Sequence, residues 1–232
     1  MSALNPAIRV GRQIAEVGEL HLGLTARQAE ARALDLLKLV RMSDPESRIK
    51  QYPHELSGGL RQRAMIAIAI AGEPKLLVAD EPTTALDVTV QAQIIALLKD
   101  IQKRLSMAIV LITHDMGVVA STASKVVVMY AGRMAEYGTA EQVLLSPRHP
   151  YTSGLIAALP IPEDPPGSQF RGLRGSPPTL GAPVPGCSFA PRCPLVLDIC
   201  GKITPRMTAG AGASSTACHS VNGIRLQEVT HG

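Results

Sequence analysis

Apolar positions recur at helical spacing through the first third of the chain. Thr25 and Gln28 form a capping-box pattern ahead of a stripe at Ala29, Ala33, Leu36, Leu37 and Val40, and Val10 to Leu22 also reads as a helix. Ser43, Pro45 and Glu46 supply a further start signal, so the first 55 residues are expected to form a helical subdomain without strands. From Ser57 the pattern changes. A helix over Leu60 to Ala71 leads through Glu73 and Pro74 into the short apolar run Lys75 to Ala79, which reads as a buried strand. A second helix shows a face at Val90, Ile94, Leu97, Leu98, Ile101 and Leu105, and a second apolar run spans Met107 to Ile112. A short helix, a third strand over Val126 to Tyr130 and a hairpin through Ala131 and Gly132 follow. Strands alternating with helices predict an α/β core with a mainly parallel sheet.

Ten of the 18 prolines fall between Pro160 and Pro194, where both periodicities vanish. The expected organisation is a helical subdomain at 1–55, a core at 56–158, a proline-rich linker at 159–186 and a separate four-cysteine module at 187–232.

Composition narrows the classes. With 46% hydrophobic residues the chain can bury a real core, while the longest unbroken apolar stretch, Ala64 to Ala71, is too short to cross a bilayer. No charged-then-apolar leader opens the sequence, which points to the cytosol. The net charge of +4 would permit an anionic partner, but the charges are scattered and only two Phe and four Tyr are present. Stacking platforms for bases are therefore missing, and no nucleic-acid partner is expected.

Three stretches carry chemistry. Leu56-Ser-Gly-Gly-Leu-Arg-Gln-Arg63 lies where a loop becomes a helix. Ser57 is a natural N-cap, and Gly58 and Gly59 let backbone N–H groups approach an anion at the positive end of the helix dipole. Taken alone, Ser-Gly-Gly is an ordinary capped helix. Leu76-Leu-Val-Ala-Asp80-Glu81-Pro82 puts two carboxylates at the carboxyl end of a strand, the place where open α/β sheets bind ligands. Asp80 suits Mg²⁺, directly or through water, and Glu81 suits a general base that polarises water. His114, at the end of the next strand, can donate to a phosphate oxygen or orient water.

Together these residues resemble the ABC transporter ATPases. Leu56 to Arg63 is similar to the signature motif, Leu77 to Glu81 to the Walker B strand with its catalytic glutamate, Ala85-Leu-Asp87 to the D-loop, and His114 to the switch histidine. The resemblance implies a partial P-loop NTPase fold. It also implies a dimer of ATPase subunits in which ATP lies between the phosphate loop of one and Ser57, Gly58 and Gly59 of the other, Asp87 acting across the interface. Gln62 and Arg61, polar residues on the same helix, are weaker candidates for nucleotide contact. Glu81 to Gln93, Ser2-Ala-Leu-Asn-Pro6, His149-Pro-Tyr151 and the cysteine tail resemble the oligopeptide and dipeptide importers in particular, including relatives that move nickel or glutathione. On that likeness the partners are a second ABC ATPase subunit, transmembrane permease subunits that meet the helical region at 10–55, and indirectly an extracytoplasmic solute-binding protein. The place of action is the cytoplasmic face of the inner membrane.

One part of the family pattern is missing. No Gly-x-x-x-x-Gly-Lys-Ser/Thr and no glutamine loop occur in the 232 residues, so the chain is expected to be either a fragment of a longer product or a degenerate subunit. By itself it should hydrolyse ATP poorly, and its sheet should expose edges. Two rivals follow: a non-catalytic subunit lending its signature loop to an intact partner ATPase, or a metal-binding module attached to an inactive remnant. ABC proteins of DNA repair or translation share the ATPase motifs, but the proline linker and cysteine tail argue against them.

Cys187, Cys193, Cys200 and Cys218 are separated by five, six and seventeen residues. In a reducing compartment such a set can hold zinc or an iron–sulfur cluster, or simply pack as free thiols. Pro191-Arg-Cys-Pro194 resembles the C-terminal extension of peptide-importer ATPases, and that resemblance implies a [4Fe–4S] cluster, with zinc as the alternative.

Overall fold

The structure, a computed structural model, describes residues 4–159, 172–173, 175–176, 178, 185–210 and 212–220. Ser2 and Ala3 of the opening motif, most of the proline-rich stretch and the end of the cysteine module lie outside the described residues. Contacts divide the chain into two units, Met1–Asp115 and Met116–Gly232. This division does not follow the boundaries at 55, 158 and 186.

The first unit is built on helices and a parallel strand pair: α1 (Val10–Leu22), α2 (Ala26–Leu39), the one-turn α3 (Pro45–Arg48), α4 (Gly58–Ile70), β1 (Leu76–Asp80), α5 (Val88–Leu105) and β2 (Ala108–Ile112). Gly23 ends α1 in the left-handed conformation, and the Thr25–Gln28 capping box starts α2 as its sequence predicts. The start signal near residue 43 yields less than expected. Asp44, not Ser43, precedes α3, itself left-handed and making no side-chain cap, and the helix stops after a single turn. Helices α1 and α2 share one apolar core with α4 and α5, in which Ile14, Leu37, Ile70, Ile94, Leu97 and Ile101 are at most 1% exposed. The helical region at 10–55 therefore packs as part of this unit. Two polar ties reinforce it: Arg32 donates to the carbonyl of Ala71, and Arg63 to that of Val40.

Strands β1 and β2 pair in parallel, Leu76 opposite Ala108 through Asp80 opposite Ile112, with α5 as the crossover between them. This βαβ arrangement matches the expected α/β core. The strands are not buried on both faces, however. Leu77 is 8% exposed, whereas Leu76, Val78, Val110 and Ile112 on the opposite face are 47–57% exposed. Parallel strands read as unbroken apolar runs because both faces normally meet helices; here the run is present and one face is open.

In the second unit α6 (Met116–Thr122) leads to the hairpin of β3 (Lys125–Tyr130) and β4 (Arg133–Thr139), followed by α7 (Ala140–Leu145) and α8 (Pro150–Ala157). The turn is Ala131-Gly132, both at positive φ, the conformation that a two-residue hairpin loop demands. The expectation of a mainly parallel sheet is corrected here, because β3 and β4 are antiparallel and β6 (Ser215–Thr216) and β5 (Thr208–Ala209) extend the same sheet antiparallel in the order β3-β4-β6-β5. Pairing of β4 with β6 also joins the cysteine segment to the hairpin sheet. Phe189 packs edge-on against Tyr130 and tilted against Tyr151, giving this unit its own small core.

Candidate functional site

Chain direction places the chemistry. Because β1 and β2 run parallel and end level at Asp80 and Ile112, the loops after both strands emerge on one edge. The Glu81 N–H donates to the Ile112 carbonyl at 2.9 Å, adding one rung beyond the ladder. Glu81 then turns at φ 44°, in the left-handed region, so its side chain leaves the strand direction. Its carboxylate Oε1 lies 3.1 Å from Nδ1 of His114, and its Oε2 accepts the Thr84 hydroxyl at 2.8 Å. The Thr84 hydroxyl first, and then the His114 imidazole, hold the Glu81 carboxyl below the usual carboxylate range. Glu81 is thus ionised at neutral pH, as a base must be. Both partners are accessible, with side-chain exposures of 45% and 79%, so their contact serves geometry more than stability.

A small cleft of about 180 Å³ opens at this edge, lined by Glu81, Thr83, Thr84, Ala85, Leu86, Gln91, Thr113, His114 and Asp115. Its walls are cross-tied: Gln91 donates to Asp115 at 2.7 Å, and the Asp115 N–H donates to the Thr113 hydroxyl at 3.0 Å. Thr84 and Gln91 were not among the residues singled out by sequence. A hydroxyl at the fourth position of the turn that begins at Glu81 was the available signal for Thr84. Asp80, exposed as the last residue of β1, does not line the cleft.

Ser57 caps α4, its hydroxyl accepting the Leu60 N–H at 3.4 Å, and Asp87 caps α5 by accepting the Val90 N–H at 2.9 Å. The two helix starts lie side by side. A Cβ added to Gly58 would meet Leu86 at 3.4 Å, and one added to Gly59 would meet Val90 at 2.9 Å. Ser57 and Asp87 are both exposed, so two N-termini with free N–H groups face outward together. Gln62 stands on the second turn of α4, partly buried.

Comparison with known proteins sets this arrangement in a family. A family profile described as ABC transporter matches residues 2–84, and one described as the oligopeptide/dipeptide transporter C-terminal region matches residues 135–200. A protein of Sinorhizobium fredii, described as a probable peptide ABC transporter ATP-binding protein, is 46% identical over 224 residues, covering 97% of this chain and 67% of that one. The chain belongs to the peptide-transporter family of ABC ATP-binding proteins. The dipeptide transport ATP-binding protein DppD of Bacillus subtilis is 47% identical over 94% of this chain and 65% of its own length. The oligopeptide transport ATP-binding protein OppD of Salmonella typhimurium is 50% identical over 88% and 61%. The chain thus spans about two thirds of the length of these curated relatives. Among solved structures, a dimeric bacterial ABC transporter cassette matches with a TM-score of 0.52 at 26% identity, over 60% of this chain and 59% of that one.

The matched C-terminal region holds Cys187, Cys193 and Cys200, but the metal expectation finds no support. Cys200 is buried, its carbonyl accepts the Cys187 N–H at 2.7 Å, and its Sγ accepts the Leu197 N–H at 3.5 Å. Burial, aided by the fields of Cys218, Cys187 and Cys200, pushes the Cys193 thiol up to about 11, and burial likewise raises Cys218. The four sulfurs feel one another, yet among the described residues no three His, Cys, Asp or Glu side chains converge so as to hold a metal ion. The expected [4Fe–4S] cluster, and zinc in its place, lack a converged ligand set. Cys187 and Cys193 pack beside Phe189 in the small core.

His149-Pro-Tyr151 proves to be a structural joint. The His149 ring accepts the Tyr151 N–H at 3.0 Å and hydrogen-bonds the Ala217 backbone, while the buried Glu136 carboxylate accepts the N–H groups of Arg148 and His149. Among the described residues no helix is long and apolar enough to cross a membrane.

Proposed function

We propose that this chain is the catalytic part of an energy-coupling subunit of a peptide importer, working at the cytoplasmic face of the membrane. The supporting observation is the Glu81–His114 pair, 3.1 Å apart at the common edge of β1 and β2 beside an open cleft. In this reading ATP is the substrate. Glu81 accepts a proton from the attacking water, and the His114 imidazole, freed from or shared with Glu81, donates to the γ-phosphate. Asp80 holds Mg²⁺, which when bound offsets the phosphate charge. The exposed starts of α4 and α5 face a second ATPase subunit, Ser57, Gly58 and Gly59 lending N–H donors to the nucleotide held there and Asp87 meeting the same interface. Solved dimers of a related cassette, including one bound to ADP and Pi, make such a pairing reasonable. The surface around α1 to α3 then faces the transmembrane permease, and cargo reaches that permease from an extracytoplasmic binding protein. Peptides are the cargo class that the relatives' names suggest.

A second reading is favoured by the exposed, side-by-side starts of α4 and α5. Here the chain lends only Ser57 to Gly59 to an intact partner. ATP turnover in the assembled complex separates the two. On the first reading both Glu81→Gln and Ser57→Arg lower turnover; on the second, Ser57→Arg alone does so. Turnover unchanged by either substitution refutes both.

A further inference from the structure

The segment after β1 returns twice to Glu81. The Thr84 N–H donates to the Glu81 carbonyl at 3.1 Å, closing a four-residue turn over Pro82 and Thr83, and the Thr84 hydroxyl donates to Glu81 Oε2 at 2.8 Å. One residue therefore fixes both the backbone and the carboxylate of the proposed base. With Oε2 occupied, the remaining oxygen, Oε1, is the one that meets His114.

We infer that Thr84 is a positioning residue for Glu81, its hydroxyl clamping one carboxylate oxygen so that the other stays turned to His114 and the cleft, where an activated water would share it. The inference rests on Glu81 being the base. Without the clamp the carboxylate is free to rotate about its terminal torsion, which is broad for glutamate, and either oxygen can turn to solvent. A base held in one orientation reacts from a larger fraction of its conformers. Chemically Thr84 takes no proton and touches no reacting atom. Its neighbours that titrate are His114 and Asp115 on the loop after β2, and Asp80 and Asp87 at either end of its own segment.

The test uses Thr84→Val, which keeps the shape and removes the donor, and Thr84→Ser, which keeps the donor. In the assembled complex Thr84→Val should lower kcat about threefold to tenfold, in keeping with a screened hydroxyl bond to a charged group. KM for ATP should stay unchanged, and Thr84→Ser should restore kcat. A fall in kcat matched by a rise in KM for ATP, or Thr84→Ser behaving like Thr84→Val, overturns the inference. If Glu81→Gln abolishes turnover while Thr84→Val leaves kcat intact, the clamp alone is refuted. If Glu81→Gln turns over normally, the functional reading fails and the inference fails with it.

Discussion

Gly58 and Gly59 stand next to each other in the loop-to-helix motif, yet the structure assigns them unequal steric roles, and Gly59→Ala exposes the difference. A methyl at position 59 would lie 2.9 Å from Val90 Cγ1. Carbon atoms prefer about 3.5–4.0 Å, so something must move. Val90 yields poorly, because a β-branched side chain has essentially one χ1 setting in a helix and because the Asp87 cap pins the first turn of α5. Overpacking of this kind costs about 1–3 kcal/mol, and replacing a helical glycine by alanine returns about 0.5–1 kcal/mol. The net expectation is a loss of about 1 kcal/mol for Gly59→Ala. At Gly58 the nearest atom is the mobile tip of Leu86 at 3.4 Å, an adjustable contact, so Gly58→Ala should be neutral or slightly stabilising.

Urea titration followed through the amide signals of α4 and α5 measures this without interference from the second unit. Adding Val90→Ala to Gly59→Ala removes the obstructing methyl, and the pair should be more stable than the two single changes sum to, with a coupling of about 1 kcal/mol. Equal stabilities for Gly58→Ala and Gly59→Ala, or no coupling to Val90, would refute the packing argument. The result bears on function as well. Were both glycines needed only for close approach of a nucleotide, neither substitution would lower stability in its absence.

Two further outcomes follow from burial. His149 is 3% exposed, and burial, offset in part by its bond to Ala217, pushes its pKa down to about 4 from an ordinary 6.5. The unfolded chain therefore takes up this proton first, so the contribution is complete above pH 6.5 and is lost as pH falls towards 4, by on the order of 3 kcal/mol. Melting of the second unit should steepen over that window in the wild type and flatten in His149→Gln; parallel curves would show that His149 is not buried as described. Val78 and Val110 are 57% and 47% exposed on the open face of β1 and β2, so Val78→Thr with Val110→Thr should reduce binding of an apolar dye and leave stability within about 0.5 kcal/mol. A loss of several kcal/mol would mean that the face is covered.

Local rules made much of this legible. Helices α1, α2, α4 and α5 follow the 3.6-residue stripe and their caps, and the Ala131-Gly132 turn marks the β3–β4 hairpin, because in each case the deciding interactions lie within a few residues. Three findings escaped because the deciding partner is distant in sequence. Ser215 and Thr216 add to β4 some 80 residues after it, and no pattern in two residues announces that. The open face of β1 and β2 is invisible in an apolar run, which states what a strand would bury but not whether anything arrives to bury it. Cysteine spacing counts thiols without orienting them, and the metal expectation drawn from resemblance met described side chains that do not converge.

The turn after β1 shows how a strand end presents a carboxylate. An ordinary residue at position 81 would continue β1; instead Glu81 sits at φ 44°, a conformation that costs a non-glycine residue on the order of 1 kcal/mol. Two backbone bonds hold it there, Glu81 N–H to Ile112 and Thr84 N–H to Glu81, and the first depends on the parallel register that brings Ile112 level with Asp80. Slipping β2 by one residue would remove that bond and carry His114 away from the carboxylate. The geometry of the Glu81–His114 pair is therefore a consequence of strand register first and of side-chain identity second. That order explains why Asp80 and Glu81, adjacent in sequence, stand in different surroundings: one belongs to the strand, the other to the turn that leaves it.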